Sequence, residues 1–288
     1  MFTRFSNEII IIFRYYSVIN GICYVNFAPW YILIMNEILV VNKPLGVTSF
    51  DVIRDLKKKF PGEKIGHAGT LDPLASGVLI CLVGKDATKR QSEFMNCDKE
   101  YIFEVLFGFE TDTYDILGLV KEVGSYDCDI LLPQLNNLIS DIKGDLDQPV
   151  PAFSAVKVKG RELYRWYLDG KINEVEIPVK QVHIDFAEIK SIEMVPKEDL
   201  HAKINSLLQT VKSGFRQKQV LESWEKVLNS SKQKQFLIAK IKTTVSKGTY
   251  VRAIAYKLGK DLKVGACTLT IKRTRVGKYR LDEKALPI

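Results

Sequence analysis

The sequence predicts an α+β fold in which strands predominate. Strand-length apolar runs recur between residues 38 and 245, apolar residues at helical spacing appear between them, and no internal repeat or low-complexity tract is present. With 288 residues, of which 46% are hydrophobic and 26% charged, the chain is long enough to bury a sizeable core. We therefore expect one α+β domain with insertions.

The first 34 residues are apolar and aromatic, yet they do not have the pattern of a membrane span. Arg4, Glu8 and Arg14 interrupt them, and no apolar run approaches the roughly 18–20 residues that a spanning helix needs. A small-residue signal-peptide cleavage site is also missing. We expect residues 1–34 to lie outside the fold and residues 35–288 to form the domain. The explanation we favour for the extension is a start codon placed too far upstream of Met35. A peripheral anchor is the alternative.

The first elements of the domain follow from local patterns. ILVVNKP at 38–44 predicts a buried strand that ends in a turn, and Thr48 or Ser49 is placed to cap a helix. The glycine-punctuated stretch GHAGTLDPLASG at 66–77 predicts a long loop before the apolar strand VLICLVG. A short helix is expected at about 86–96. A strand is expected to begin at Tyr101.

The later elements include two excursions from the sheet. Segment 148–171 mixes prolines, aromatic and basic residues, which predicts a long excursion rather than core. Segment 197–235 carries two amphipathic helical patterns and predicts a helical insert. The strand candidates VEIPVKQVHIDFAEI and FLIAKIKTTV flank the insert, and a helix is expected at about 251–262.

Charge and cysteine usage narrow the class of protein. Lys plus Arg outnumber Asp plus Glu by 42 to 34, for a net charge of +8, which suits a polyanionic partner but also plain solubility. The five cysteines are scattered without a CxxC, which favours reduced thiols in the cytoplasm. The three histidines share no ligand spacing with them, so we expect no structural zinc.

An aspartate in an unusual setting marks the first candidate site. Asp72 lies in GHAGTLDPLASGVL, where three glycines free the backbone and Pro73 biases Asp72 toward an extended conformation. Such a segment can present a carboxylate outward at a fixed angle. A turn-forming aspartate, the usual role before proline, is the alternative.

A second candidate lies in KGTYVRAIAYKLG. Thr249 is a plausible N-cap, which would place Tyr250 and Arg252 in the first helical turn. An arginine there opposes the positive end of the helix dipole, so a buried carboxylate would stabilise it. Asp72 is a carboxylate without a partner nearby in sequence. A solvated arginine at a helix end is the alternative.

Two ring side chains complete the candidates. Tyr101 begins a strand, where packing is the common role of a tyrosine. His67 is flanked by glycine and alanine, and no bulky residue accompanies it. A flat ring on a flexible loop can stack on, or wedge beside, a nucleobase.

The chain resembles the bacterial tRNA pseudouridine-55 synthase (TruB) family over most of its length from residue 38 to about residue 281. The motifs that carry the resemblance occur in the family's order: NKPLGVTS, GHAGTLDPLASGVL, DKEYIFEV, GFETDTYD, PAFSAVKVKGRELYRW, SKGTYVRAIAYKLG and IKRTRVGKYRL. The resemblance implies a pseudouridine-synthase-type α+β fold, with a mixed, mainly antiparallel sheet flanked by helices. Segment 148–171 then corresponds to the family's thumb loop.

The resemblance also implies roles for particular residues. Asp72 matches the catalytic aspartate, and Arg252 matches the arginine that pairs with it and holds it ionised. The remaining matches concern substrate binding: Tyr101 stacks on the target base, Tyr250 and Ile271 line the pocket, His67 intrudes into the RNA loop, and Lys43 either supports the site or contacts substrate. Tyr101, or a relayed water, is also a candidate to remove the C5 proton of the base.

The function implied is isomerisation of uridine 55 in the T loop of tRNA, without cofactor or metal. The expected partner is the T arm of tRNA, bound by a cytoplasmic monomer. Asp72 would either attack the uracil ring or remove the 2′ hydrogen of the ribose, and the sequence does not choose between them. A non-catalytic RNA-folding module and a guide-RNA-dependent relative are the other hypotheses.

The resemblance has two departures. The chain ends at Ile288, so we expect no C-terminal RNA-binding module of the kind that some relatives carry. The 197–235 insert does not match the family pattern. One possibility is a plain surface hairpin. The other is that its cations bind tRNA phosphates that lie outside the T loop; these cations are Lys203, Lys212, Arg216 and Lys218.

Overall fold

The computed structural model describes residues 37–212, 214 and 216–281, together with the backbone of short strands at 4–5, 8–9, 17–19 and 22–24. The chain divides into two compact units. Unit 1 comprises Met1–Cys97 and Arg275–Ile288, and unit 2 comprises Asp98–Thr274.

Unit 1 is built on a long central strand. Its elements in the described part are β1 (Glu37–Lys43), α1 (Ser49–Lys59), β2 (Ile65–Ala68), β3 (Ala75–Val83), α2 (Lys85–Lys89) and α3 (Gln91–Met95). Both β1 and β2 pair antiparallel with β3. Strand β3 is buried along almost its whole length, which explains why its sequence is continuously apolar rather than alternating.

Helix α1 begins where the sequence predicts. The Thr48 hydroxyl accepts a hydrogen bond from the backbone N–H of Asp51, and the Asp51 carboxylate accepts one from the backbone N–H of Thr48. This reciprocal capping box satisfies donors that the first turn leaves unpaired. The apolar face of α1, formed by Val52, Ile53 and Leu56, is buried. The predicted N-cap is confirmed.

Two expectations about unit 1 need correction. The predicted loop at 66–77 is shorter, because its first residues form strand β2 against β3. A long apolar strand offers backbone partners that overcome the weak strand propensity of the sequence IGHA. The single short helix expected at about 86–96 is two helices, α2 and α3.

Unit 2 carries a larger antiparallel sheet. Its strands, in spatial order, are β7 (Gly144–Pro149), β10 (Val179–Pro196), β11 (Gln235–Val245), β4 (Lys99–Phe107) and β12 (Ala266–Val276). The first three neighbouring pairs are antiparallel. The mixed α+β class with a mainly antiparallel sheet is therefore confirmed.

Smaller elements complete unit 2 and the end of the described chain. They are β5 (Phe109–Thr111), β6 (Val120–Glu122), α4 (Cys128–Asp141), β8 (Lys157–Val158), β9 (Arg161–Glu162), α5 (Leu163–Leu168), a 3₁₀ turn (Ile172–Glu174), α6 (Lys197–Thr210), α7 (Gln217–Ser230), α8 (Val251–Asp261) and β13 (Tyr279–Arg280). No helix in the described part of the chain is long and apolar enough to cross a membrane.

The 197–235 insert forms the two predicted helices, α6 and α7, and packs within unit 2. Trp224 of α7 is fully buried, lies edge-on to Phe109 at 5.3 Å between ring centroids, and donates its indole N–H to the Ile116 carbonyl at 3.0 Å. Of the apolar residues expected to face inward, Leu200, Val211 and Trp224 are buried, whereas Leu207 is only partly covered. The insert is thus anchored to the segment that follows β4.

Removal of residues 1–34, of which only the backbone of the short strands at 4–5, 8–9, 17–19 and 22–24 is described, is expected to leave folding and activity intact. Strand β1 begins at Glu37 and pairs with β3 over its whole length, so a chain starting at Met35 keeps the first strand of unit 1. Thermal unfolding followed by circular dichroism, together with turnover of the truncated protein, checks this. Insolubility or loss of turnover would show that the extension is structural.

Candidate active site

Asp72 lies in the connection between β2 and β3, and backbone contacts anchor this connection on both sides of it. The Ser49 hydroxyl accepts a hydrogen bond from the Leu71 N–H at 2.9 Å and donates one to the Leu71 carbonyl at 3.2 Å. The Gly46 N–H donates to the Pro73 carbonyl at 2.8 Å. The neighbours Leu71 and Leu74 are buried, while Asp72 itself is partly exposed. A carboxylate is thereby presented from a fixed backbone.

Lys43 supports the turn that reaches Asp72. Its side chain is fully buried at the end of β1, and its ammonium donates to the carbonyls of Pro44 at 3.0 Å and Val47 at 2.6 Å. A buried ammonium is tolerated because such acceptors replace water. The same turn carries Gly46, whose φ of 84° belongs to the left-handed region that glycine adopts readily. Of the two roles left open for Lys43, this geometry favours support.

His67 is not on a flexible loop, which corrects the sequence-based expectation. It lies in β2 opposite Cys81 of β3 and is partly buried. Its backbone carbonyl accepts a hydrogen bond from the Gln91 side chain at 2.6 Å. The ring is therefore held on a strand next to the Asp72 connection.

Arg252 is the second residue of α8 and is 4% exposed, so the solvated alternative is wrong. Its guanidinium donates to the backbone carbonyls of Thr113 and Phe153, the latter at 3.1 Å. The carboxylate of Asp115 lies 3.7 Å from its Nε. These acceptors offset the unfavourable position of a cation at a helix N-terminus. The pairing of Arg252 with Asp72 remains a prediction.

Asp115 is a site residue that sequence reasoning missed. It is 5% exposed and accepts hydrogen bonds from the Thr113 hydroxyl at 2.6 Å and from the Leu117 N–H at 3.0 Å. It thus shapes the turn whose carbonyl binds Arg252. The available signal was the motif GFETDTYD, in which a carboxylate lies among turn-forming residues.

Tyr250, rather than Thr249, is the N-cap of α8, and it offers no capping side chain. Gln148, which is 3% exposed, takes over part of this role: its amide oxygen accepts from the Tyr250 N–H at 2.7 Å, and its amide nitrogen donates to the Tyr250 carbonyl at 3.2 Å. The Tyr250 ring packs on a small core made of Val150 and Leu163 from segment 148–171 and Val175, which follows it. Gln148 therefore ties the start of α8 to this segment.

Tyr101 and Ile271 lie on neighbouring strands of the unit 2 sheet. Tyr101 is the third residue of β4, not the first, and is 8% exposed opposite Thr243 of β11. Ile271 lies in β12 and is 6% exposed. Sequence reasoning placed the start of the strand late because Lys99 and Glu100 are charged, yet both are buried.

The predicted thumb-like segment 148–171 is an ordered excursion. It contains the hairpin β8–β9 and helix α5, and Trp166 donates its indole N–H to the Val158 carbonyl at 3.2 Å. Its basic residues stay accessible while pairing with acidic neighbours, as Arg165 does with Glu162 at 3.3 Å. Surface pairs of this kind are weak, so the cations remain available to a polyanion.

The fold is of the mixed α+β class, with a partly exposed, backbone-anchored aspartate in unit 1 and a buried arginine in unit 2. Residues 57–212 match the TruB family pseudouridylate synthase (N terminal domain). The tRNA pseudouridine synthase B of Fusobacterium nucleatum is 36% identical over 248 residues, which cover 86% of this chain and 70% of the relative. That of Protochlamydia amoebophila is 34% identical, covering 86% and 77%. The chain belongs to the TruB family, and the resemblance found in the sequence is confirmed.

The fold has counterparts among solved structures. A chain of the Cbf5-Nop10-Gar1 complex matches with a TM-score of 0.51 at 22% identity, over 85% of this chain and 50% of its own length. A chain of an H/ACA RNP bound to a substrate RNA matches with a TM-score of 0.50 at 19% identity, again over 50% of its own length. The present chain spans about half the length of these neighbours. At such identities the likeness shows the fold alone.

Proposed function

We propose that this TruB family member isomerises uridine 55 in the T loop of tRNA to pseudouridine. The observation that carries the proposal is the partly exposed Asp72, held between backbone contacts to Leu71 and Pro73 in the family's aspartate motif. The reaction breaks the N1–C1′ bond of the uridine, rotates the uracil and forms a C5–C1′ bond. The proton on C5 is lost and N1 gains one, so atoms balance without a redox partner.

We assign Asp72 the reactive carboxylate, which attacks the uracil ring or removes the 2′ hydrogen of the ribose. Arg252 is assigned the pairing with that carboxylate. Its planar guanidinium can keep its contacts to the carbonyls of Thr113 and Phe153 while an edge serves another acceptor. Tyr101 is assigned the stacking surface for the base and is a candidate to remove the C5 proton.

The remaining candidates are assigned to binding. A uridine must leave the RNA stack before it reacts, at a cost on the order of a few kcal/mol, and aromatic stacking offsets that cost. His67 is assigned to the space that the base vacates, and its place on strand β2 suits a rigid wedge. Tyr250 and Ile271 are assigned to the pocket wall, and Lys43 to the support of the Asp72 connection.

The proposed partner is the T arm of tRNA, bound in part by the basic and aromatic side chains of segment 148–171. The net charge of +8 supports a polyanionic partner. A cytoplasmic monomer is part of the proposal. Four cysteines in the described part are free thiols, which suits a reducing compartment.

The test is turnover of an unmodified tRNA transcript, with pseudouridine mapped by carbodiimide labelling. Carbodiimide labelling is expected at position 55 alone, and a transcript with cytidine at that position serves as the control. The reaction is run with and without other RNAs, because a guide-dependent enzyme would form product only when such an RNA is added. Tight binding of the transcript without any product would favour the RNA-folding module and contradict the proposal.

The insert yields a separate prediction about tRNA binding, and its ion pairs reduce the four candidate cations to two. Lys203 pairs with Glu104 at 3.4 Å and Arg216 with Asp112 at 2.9 Å, so both are engaged within unit 2. Lys212 is exposed, and Lys218 is 90% exposed with only a 3.9 Å contact to Glu222. These two lysines are the ones free to reach phosphates at low cost.

Changing Lys212 and Lys218 together to alanine is expected to weaken binding of full-length tRNA. Each lost phosphate contact should make the negative slope of log affinity against log salt shallower by about 0.9 unit. An isolated T-arm stem-loop, which would not reach the insert, should bind as before, and Lys203→Ala is the matched control. An unchanged salt slope on full-length tRNA would leave the insert a surface hairpin.

A further inference from the structure

Four residues from three parts of unit 2 converge beside the turn that binds Arg252. We call them the Arg216 cluster: Asp112 from the turn after β5, Phe153 and Tyr167 from segment 148–171, and Arg216 from the insert. The Arg216 guanidinium donates to the Asp112 carboxylate at 2.9 Å, and the side chains are only 22% and 13% exposed. The cluster thus brings together segments that are up to 104 residues apart in sequence.

The second half of the cluster is aromatic. The Arg216 guanidinium lies 4.7 Å from the centroid of the Phe153 ring, within the range of a cation–π contact. The Tyr167 ring lies 4.6 Å from the same Phe153 ring, and the Tyr167 hydroxyl donates to the Asp112 carboxylate at 3.2 Å. Burial and the neighbouring Asp112 charge raise the pKa of Tyr167, so its hydroxyl remains a donor. Arg216 therefore touches both the carboxylate and the aromatic side of the cluster.

The backbone connects the cluster to Arg252. Phe153 presents its ring to Arg216 and its carbonyl to Arg252 at 3.1 Å. Asp112 is adjacent to Thr113, whose carbonyl also accepts from Arg252. The other Asp112 oxygen accepts from the Leu119 N–H at 2.8 Å, which closes the turn. A shift of Arg216 would therefore disturb two of the acceptors that position Arg252.

Arg216 itself is held in an uncommon backbone conformation. It precedes α7 with φ of 53° and ψ of 27°, a left-handed geometry that is unfavourable for a residue with a side chain. The conformation aims a guanidinium from a surface insert into the cluster. Glycine would fit this backbone better, so the side-chain contacts account for an arginine there.

We propose that Arg216 is a positioning residue: it fixes segment 148–171 against the Asp112 turn, so that the insert pre-orders the RNA-binding excursion and the acceptors of Arg252. This rests on the proposed function for its effect on turnover, but not for its effect on order. RNA binding to a loosened excursion has to supply the ordering free energy. The apparent affinity then falls by the fraction of molecules in the ordered state.

The experiment compares Arg216→Ala, Arg216→Lys and the control Lys203→Ala, a second ion-paired cation of the insert that contacts Glu104 instead. Hydrogen exchange of segment 148–171 is measured without RNA, and KM and kcat are measured on tRNA. For Arg216→Ala we expect about tenfold faster exchange in the segment and about a tenfold rise in KM, with kcat changed less. Lys203→Ala should leave the exchange of segment 148–171 and the KM unchanged.

Arg216→Lys tests whether the planar guanidinium is needed in addition to the positive charge, and the exchange of α6 and α7 separates positioning from general stability. Lysine keeps a charge for Asp112 but lacks the planar group that lies over Phe153, so partial restoration of protection and KM is expected. Protection and KM like those of the unchanged protein in Arg216→Ala would overturn the proposal. So would a uniform rise of exchange throughout α6 and α7, which marks a loss of insert stability. If the unchanged protein does not modify tRNA, the proposed function fails, while the exchange of segment 148–171 still decides the role of Arg216.

Discussion

Asp72→Asn is expected to lower isomerisation by at least about 10⁴-fold, in line with the loss of a reacting group from an active site. Asparagine keeps the shape of aspartate but can neither attack the uracil ring nor remove a ribose hydrogen. The contacts that anchor this connection use the backbone of Leu71 and Pro73, and these are unchanged by the substitution. Folding and tRNA binding should therefore stay close to those of the unchanged protein.

Single-turnover kinetics on tRNA, filter binding and thermal unfolding test this prediction together. Asp55→Asn is a suitable control, because Asp55 is an exposed carboxylate on α1 of the same unit, paired with Lys58 at 2.8 Å. It should lose no activity. Appreciable turnover by Asp72→Asn would remove Asp72 from the chemistry and leave it the turn-forming role that the sequence also allowed.

The features that were predictable from sequence depend on neighbours in the chain. The cap at Thr48 needs only Asp51, three residues later, and the buried face of α1 follows from helical spacing. The candidate Asp72 was found because glycines and a proline act on the backbone locally. Such local rules were sufficient for the helices of the insert as well.

The features that were missed depend on partners far away in the chain. Strand β2 exists because β3 supplies backbone partners, since its own sequence favours a loop. The N-cap was misplaced to Thr249 because Gln148, 102 residues away, satisfies the backbone of Tyr250. Arg252 was assigned a carboxylate partner on physical grounds, but Asp115 was not considered, although the demand for such a partner was correct.

Arg252→Ala is expected to be nearly as damaging as loss of Asp72, with turnover reduced by roughly 10³-fold. The change removes the cation assigned to the reactive carboxylate, and it also removes the guanidinium that lies 3.7 Å from the buried Asp115 carboxylate. Loss of one member of a buried ion pair destabilises a protein by about 3–5 kcal/mol, so a lower unfolding temperature is also expected. Arg252→Lys should recover only part of the activity, because a lysine lacks the fork that serves several acceptors.

The two effects of Arg252→Ala can be separated with the double variant Arg252→Ala, Asp115→Asn. Neutralising Asp115 removes the buried negative charge, while the amide oxygen can still accept from the Leu117 N–H, as the carboxylate does at 3.0 Å. The double variant should therefore regain unfolding temperature relative to Arg252→Ala but no turnover. Its unfolding is followed by circular dichroism, and its turnover is measured well below the transition. Recovery of activity along with stability would mean that Arg252 acts only by holding the fold, and wild-type turnover in Arg252→Ala would show that its assigned pairing with Asp72 is not needed.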